Sequence, residues 1–265
     1  MVPMHAPDHA ASPLPPEGRV ATDVSDGIAT IRFGHPKGNS LPATVLRALA
    51  DQVTAAGRDP AIRVIVLRSD GAGPFCAGAS FDELTAVSDA AQGREFFLGF
   101  ARVILAMLRC PQLVVTRVHG KAAGGAVGLI AASDYAIATE NAACKLSELA
   151  VGIGPFVVGP VIEKKIGLAA FQSMAIDADW RDARWAATQG LYAQVVATVE
   201  ELDARVTGMA TRLAGSNPEA MTGIKRICWE GTDGWEALLE RRAEMSGTLV
   251  LSDFTRRAIA AFRTG

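Results

Sequence analysis

The apolar positions form short β-branched runs in the first part of the chain and helical stripes in the last part. Arg19–Val24 and Ile28–Phe33 read as two short strands joined at Asp26-Gly27, a hairpin signal. Val45, Leu49 and Val53 make an apolar stripe ending at Gly57, with Ser40 and Pro42 ahead of it, which predicts a capped helix. Ile62–Leu67 is predicted as a buried strand from its β-branched content. Residues 88–109 carry helical spacing through Phe96, Phe97, Phe100, Val103, Ile104, Met107 and Leu108, and Pro111 stops that helix. Leu113–Val118 and Tyr135–Thr139 are two more strands, with a glycine-rich loop and an apolar helix between them. Strand, loop and helix recur roughly every 50 residues, the pattern of an α/β fold with crossovers.

Beyond Gly167 the pattern turns helical. Thr198 with Glu201 makes a capping box, and Leu202, Val206, Met209 and Leu213 share one face before Gly215. Ser216-Asn217-Pro218-Glu219 opens another helix. Trp235, Leu238, Met245 and Leu249 stripe a third, and Phe254, Ala258 and Phe262 a last one. Such faces either close their own core or meet another subunit.

Composition narrows the class. Hydrophobic residues make up 49% and charged residues 20% of the 265, enough for a sizeable core. The net charge of −2 gives no electrostatic footprint for nucleic acid or an anionic membrane. Cys76, Cys110, Cys144 and Cys228 form no C-x-x-C pair, and the four histidines form no ligand cluster, so neither a metal site nor a disulfide framework is indicated. The five prolines of residues 1–18, with no apolar h-region, predict a disordered tail rather than a signal peptide. Ala122–Ser133 and Leu149–Ile162 are too short to span a bilayer, so the protein is expected to be cytoplasmic. The expected organisation is a tail (1–18), a core (19–197) and a helical region (198–265).

Three segments could carry chemistry. Gly71–Leu84 reads GAGPFCAGASFDEL after a buried strand, and His119-Gly120-Lys121-Ala122-Ala123-Gly124-Gly125 follows another. Neither fits a phosphate loop or a dinucleotide fingerprint. Gly78-Ala79-Ser80 lacks the second glycine of a nucleophile elbow, which leaves Ser80 as a helix N-cap. Two such loops, each with a bare N–H beside a helix start, could jointly hold a developing oxyanion through Ala79 and Gly125. Glu148 stands in the apolar run Leu146–Pro155, either as a paired structural group or as a base of raised pKa.

These motifs resemble those of the crotonase superfamily, the enoyl-CoA hydratase/isomerase family. Phe75-Cys76-Ala77-Gly78-Ala79-Ser80 is similar to its first oxyanion loop. His119-Gly120 through Gly124-Gly125 resembles the second loop, and Ser147-Glu148-Leu149 with Gly152 and Pro155 a third family segment. Gly190–Val196 is similar to the family's passage from helix to strand. The resemblance implies a spiral of ββα units with a C-terminal helical trimerisation region, hence a homotrimer or homohexamer. It implies an acyl-CoA thioester as substrate, with coenzyme A as part of that substrate and no separate cofactor. Ala79 and Gly125 would cradle the thioester oxygen and Glu148 would move protons. Lys37, Ala77, Gly78, Gly124 and Gly128 would contact the substrate, and residues 85–105 would shape the acyl pocket.

The chain departs from the family at Gly128, where hydratases usually carry a glutamate. A single glutamate suits double-bond isomerisation, whereas hydration usually employs two carboxylates, and the expected enzyme either hydrates an unsaturated acyl-CoA or shifts its double bond. Asp82, Glu83 and His119 are the nearest groups that could replace the missing acid, each with an alternative reading as a surface, capping or loop residue. Arg256 and Arg257 could reach a neighbour's ligand or lie on a solvated face. A non-catalytic thioester binder is the alternative to an enzyme. An RNA-binding relative is a further one, which the neutral composition disfavours.

Overall fold

The computed structural model describes residues 14–264, so residues 1–13 of the expected tail lie outside the described residues. Strands β1 (Arg19–Ser25) and β2 (Ile28–Gly34) pair antiparallel. Asp26 and Gly27 both have positive φ, 52° and 76°, as a tight hairpin turn requires. Helix α1 (Ala43–Arg58) leads to β3 (Val64–Ser69). The short α2 (Phe81–Ala86), the long α3 (Ala90–Arg109) and β4 (Leu113–Val118) follow. Then come β5 (Ala122–Ala123), α4 (Gly125–Ala132), β6 (Tyr135–Thr139) and β7 (Cys144–Lys145). A 3-10 turn at Leu149–Val151 precedes α5 (Gly159–Ile166), α6 (Leu168–Asp177) and α7 (Ala183–Thr188). The chain ends with β8 (Gln194–Val196), α8 (Val199–Ala214), α9 (Pro218–Cys228), α10 (Trp235–Leu249) and α11 (Asp253–Thr264).

The main sheet has the order β1-β2-β3-β4-β6-β8 and is parallel from β2 onward. It is covered on both faces, which explains its near-continuous apolar strands. Ile31, Phe33, Ile65, Leu67, Val114 and Ala136 belong to a core with α1, α3 and α4. Their neighbours Val64, Val66, Val115 and Ile137 point the other way, onto Leu202, Val206 and Ala210 of α8. No helix among the described residues is long and apolar enough to cross a membrane.

A second, smaller layer is built almost entirely from main chain. β5 and β7 pair in parallel, and single bridges extend the ladder from Leu41 to Ala79, from Cys76 to Ala122 and from Cys144 to Arg181.

Several expectations shift. The predicted strand Ile62–Leu67 runs instead from Val64 to Ser69, because pairing with β2 begins at Ile28 opposite Val64. Ser40 does not cap α1. The bridge at Leu41 holds the chain in the second layer, and the Ser40 hydroxyl lies 3.0 Å from His35 Nδ1. Glu83 supplies the cap from α2, its Oε2 accepting the Ala43 N–H at 2.8 Å. Part of the stripe on α10 faces away from the chain's own core. Leu239, Ala243, Ser246 and Gly247 are buried, whereas Met245 and Leu249 are exposed. α10 turns its small residues to α3, so close that a Cβ on Gly93 would lie 2.7 Å from the Gly247 Cα.

The C-terminal helices α8, α9 and α10 close the chain's own core. Lys225 of α9 is buried and donates to Asp134 Oδ2 at 2.9 Å and to the Gln112 carbonyl at 2.7 Å. Asp134 also accepts from Trp229 Nε1 and the Val114 N–H. Removing one partner of a buried pair leaves an uncompensated charge. Lys225→Met is therefore expected to cost about 3 kcal/mol, read from the urea midpoint at unchanged slope.

Candidate active site

The second layer sews three loops side by side. The Cys76 N–H donates to the Lys121 carbonyl and the Ala123 N–H to the Cys76 carbonyl. The Ala122 N–H donates to Ala143 and the Gly124 N–H to Lys145. Gly38 accepts from Ala77, and Gly78 from Leu41. Phe75, fully buried edge-on to Phe33 at 5.5 Å, anchors the first loop in the core.

Two glycines make the crossing feasible. Gly78 has φ +93°, and a Cβ there would meet the Ala123 carbonyl oxygen at 2.8 Å. Gly124 has φ +54° and turns the chain into α4. Just beyond these glycines, the N–H groups of Ala79 and Gly125 donate to no group of the described chain. Gly125 is the first residue of α4, so its N–H carries the positive end of that helix.

Both groups border a cavity of about 250 Å³. Ala77, Gly78, Ala79, Gly124, Gly125 and Glu148 all line it, so the structure brings together six of the residues singled out from the sequence. Apart from Ser147 and Ser246 the rest of its wall is apolar. Phe96, Phe97 and Phe100 come from α3, within the segment 85–105 expected to shape it. Phe81, Leu84, Val151 and Ile153–Val158 lie outside that segment and were missed, as was Ser246 of α10. The only signal for Ser246 was its place three residues after Ala243 on the buried face of α10.

Glu148 packs its Oε1 against Gly124, where a Cβ would lie 3.2 Å away. Its Oε2 is buried without a hydrogen-bond partner. The residue as a whole is half-buried, but the carboxylate is out of solvent. Burial pushes its pKa up to about 7 against the opposing N–H groups of Glu148 and Ser147. The segment is held from both ends. The Ile153 N–H returns to the Glu148 carbonyl at 2.9 Å, and Thr255 of α11 donates to Gly152 at 3.1 Å.

The remaining expected residues are elsewhere. Gly128 does not line the cavity, contrary to its expected contact with substrate; it is buried one turn into α4. A Cβ there would be 2.5 Å from Val158 Cγ1, and Val158 itself lines the cavity. The space into which a side chain at 128 would grow is thus filled by valine. Lys37 is also off the wall, exposed and ion-paired with Asp82. Glu83 is occupied with the α1 cap. His119 is buried and does not line the cavity, and desolvation, then Arg117 and Arg68, lower its pKa to about 4 against a backbone hydrogen bond at Gly73. Ser80 caps α2, accepting the Glu83 N–H at 3.4 Å. Arg256 and Arg257 are exposed. Glu148 is the one titratable side chain on the cavity wall among the described residues.

A family model described as enoyl-CoA hydratase/isomerase matches residues 23–261. The chain belongs to the enoyl-CoA hydratase/isomerase family. A hydrolase of (7aS)-7a-methyl-1,5-dioxo-2,3,5,6,7,7a-hexahydro-1H-indene-carboxyl-CoA from Rhodococcus jostii is 33% identical over 132 residues. That match spans 50% of this chain and about half the relative's length (51%). The peroxisomal Delta(3,5)-Delta(2,4)-dienoyl-CoA isomerase of Arabidopsis thaliana is 28% identical over 221 residues, 77% of this chain and 78% of the relative. The fold is that of an enoyl-CoA hydratase from Mycobacterium avium subsp. paratuberculosis, with a TM-score of 0.81 at 24% identity over 94% of this chain and 100% of the other.

Two predictions follow from the geometry of this family member. Below about pH 4.5, Glu148 is protonated in both folded and unfolded chains. Between there and about pH 7 the unfolded chain alone gives up the proton, so the parent loses stability as pH rises. Glu148→Gln is expected to match the parent near pH 4 and to exceed it by about 3 kcal/mol at pH 8, measured by denaturant unfolding at each pH. Gly128→Ala is expected to destabilise by about 1–3 kcal/mol through its clash with Val158. Val158→Ala should relieve most of that clash, giving a favourable coupling in a double-mutant cycle.

Proposed function

We propose that this chain binds an unsaturated acyl-CoA thioester and shifts its double bond, with Glu148 as the single base. The observation carrying this reading is that Glu148 is the one titratable group on the cavity wall among the described residues. The thioester oxygen would sit between the Ala79 and Gly125 N–H groups, which have no partner in the chain. Removal of a proton from C2 places negative charge on that oxygen, where the two donors and the α4 dipole stabilise it. Glu148, protonated by that step, returns the proton at C4. A pKa of about 7 lets one carboxyl both accept and donate near neutrality.

Hydration needs a second group to orient water or deliver a proton. Asp82, Glu83 and His119 do not line the cavity, and Val158 occupies the space beside Gly128. A homotrimer remains part of the proposal, supported by the exposed apolar side chains of Leu149, Met245, Leu249 and Phe254 near the Glu148 segment and on the last two helices.

The test is incubation of the purified chain with 2-enoyl- and 3-enoyl-CoA in D₂O. Interconversion of the two without 3-hydroxyacyl-CoA is expected, its rate rising with pH through about 7 as Glu148 loses its proton. Glu148→Gln should lower turnover by at least about 10² while thioester binding persists. Accumulation of 3-hydroxyacyl-CoA, or parent-like turnover by Glu148→Gln, would overturn the single-base reading.

A further inference from the structure

The Glu148 carboxyl is placed by main chain rather than by side-chain partners. The hydrogen bonds that act on it come from the N–H groups of Ser147 and Glu148 itself, and its Oε2 has no partner. The stretch that carries it is a surface turn. Leu149 and Ala150 are exposed, and Val151 and Gly152 are half-buried. Within the turn, the Val151 and Ile153 N–H groups return to the Glu148 carbonyl at 3.2 and 2.9 Å, and the Gly152 N–H to the Leu149 carbonyl at 3.0 Å. These bonds shape the turn without anchoring it. Among the described residues, one hydrogen bond reaches residues 146–153 from outside that stretch, and it comes from the last helix. Thr255 Oγ1 donates to the Gly152 carbonyl at 3.1 Å. Thr255 is fully buried, and Ser252 Oγ donates to its Oγ1 at 3.1 Å, which leaves the Thr255 hydroxyl proton for Gly152. The approach is close. Gly152 has φ +82°, and a Cβ there would lie 2.6 Å from Thr255 Oγ1 and 2.5 Å from Phe254 Cδ1, so α11 sits against the bare main chain of the turn.

We propose that Thr255 is a positioning residue: acting through Gly152, it holds the turn that keeps the Glu148 carboxyl at the cavity wall, so the reactivity of the base depends on the seating of α11. Loss of this bond frees the turn to swing outward. The carboxyl then leaves its place beside Gly124 and gains water. This rests on Glu148 as the base in the reading above and extends it to a residue that does not itself line the cavity.

The first readout does not depend on the chemical step. The full chain is labelled with ¹³C at the glutamate side-chain carboxyls, and the Glu148 signal is identified by its loss in Glu148→Gln. No other titratable side chain lines the cavity among the described residues, so the Glu148 titration reports its burial. Thr255→Val should move its midpoint from about 7 toward the ordinary 4.5, by about one pH unit or more, because a loosened carboxyl gains water. Thr255→Ser, which keeps the hydroxyl, should titrate as the parent does. So should Lys225→Met, which weakens the fold at α9 without touching the turn. In turnover of 3-enoyl-CoA, Thr255→Val should lose about tenfold or more in kcat with KM within about twofold of the parent's, since the base and not the binding wall is displaced. Should Thr255→Val not fold, Thr255→Ala removes the same donor and is held to the same shifts. An unmoved midpoint would overturn the proposal. So would an equal shift in Thr255→Ser or Lys225→Met, or an unchanged kcat where the parent turns over. If the midpoint moves but the parent converts no enoyl-CoA, the double-bond reading falls and the seating of Glu148 by Thr255 stands. If the parent isomerises and no Thr255 variant differs from it, this proposal alone falls.

Discussion

The main-chain ladder linking Cys76, Ala122 and Cys144 governs the site. Three segments separated by tens of residues are held one strand-spacing apart by hydrogen bonds that no side-chain substitution removes directly. Each segment leaves the ladder within a few residues of its bond, at Ala79, Gly125 and Glu148. Two open N–H groups and a carboxylate therefore converge without any long side chain being positioned by packing alone. The main sheet beneath supplies the rigidity, since it is buried on both faces and Phe75 ties the first loop into it.

The apolar wall completes what the ladder begins. The phenylalanines of α3 border the cavity beside the Glu148 carboxylate and the two N–H groups and offer neither a polar partner. Burial raises the proton affinity of the Glu148 carboxylate. α11 adds a tether, since Thr255 holds the Gly152 carbonyl just past the 3-10 turn. The last helix thereby steadies a segment whose carboxylate has no partner of its own on Oε2.

The strands were legible in the sequence because β-branched runs and the Asp26-Gly27 turn are local signals. The three loops were legible as motifs, and Glu148 stood out as a charge in an apolar run. Non-local features were hidden. The cap of α1 comes from Glu83, 40 residues on in sequence from Ala43. The buried face of α10 is set by the contact of Gly247 with Gly93, which no periodicity along one helix encodes, whereas Met245 and Leu249 of the apolar stripe stay exposed. Ser246 was missed for the same reason. The absence of a carboxylate at position 128 was plain from the sequence, but only the packing shows that Val158 has taken the room.

That last contact bears on how such a chain could change over generations. Gly128 and Val158 fit each other like key and ward: enlarging the first while the second stays destabilises the fold, and shrinking the second while the first stays widens the cavity that Val158 lines. A larger residue at position 128 therefore demands a smaller one at position 158, and this paired constraint sits between α4 and the start of α5, one helical turn from Gly125.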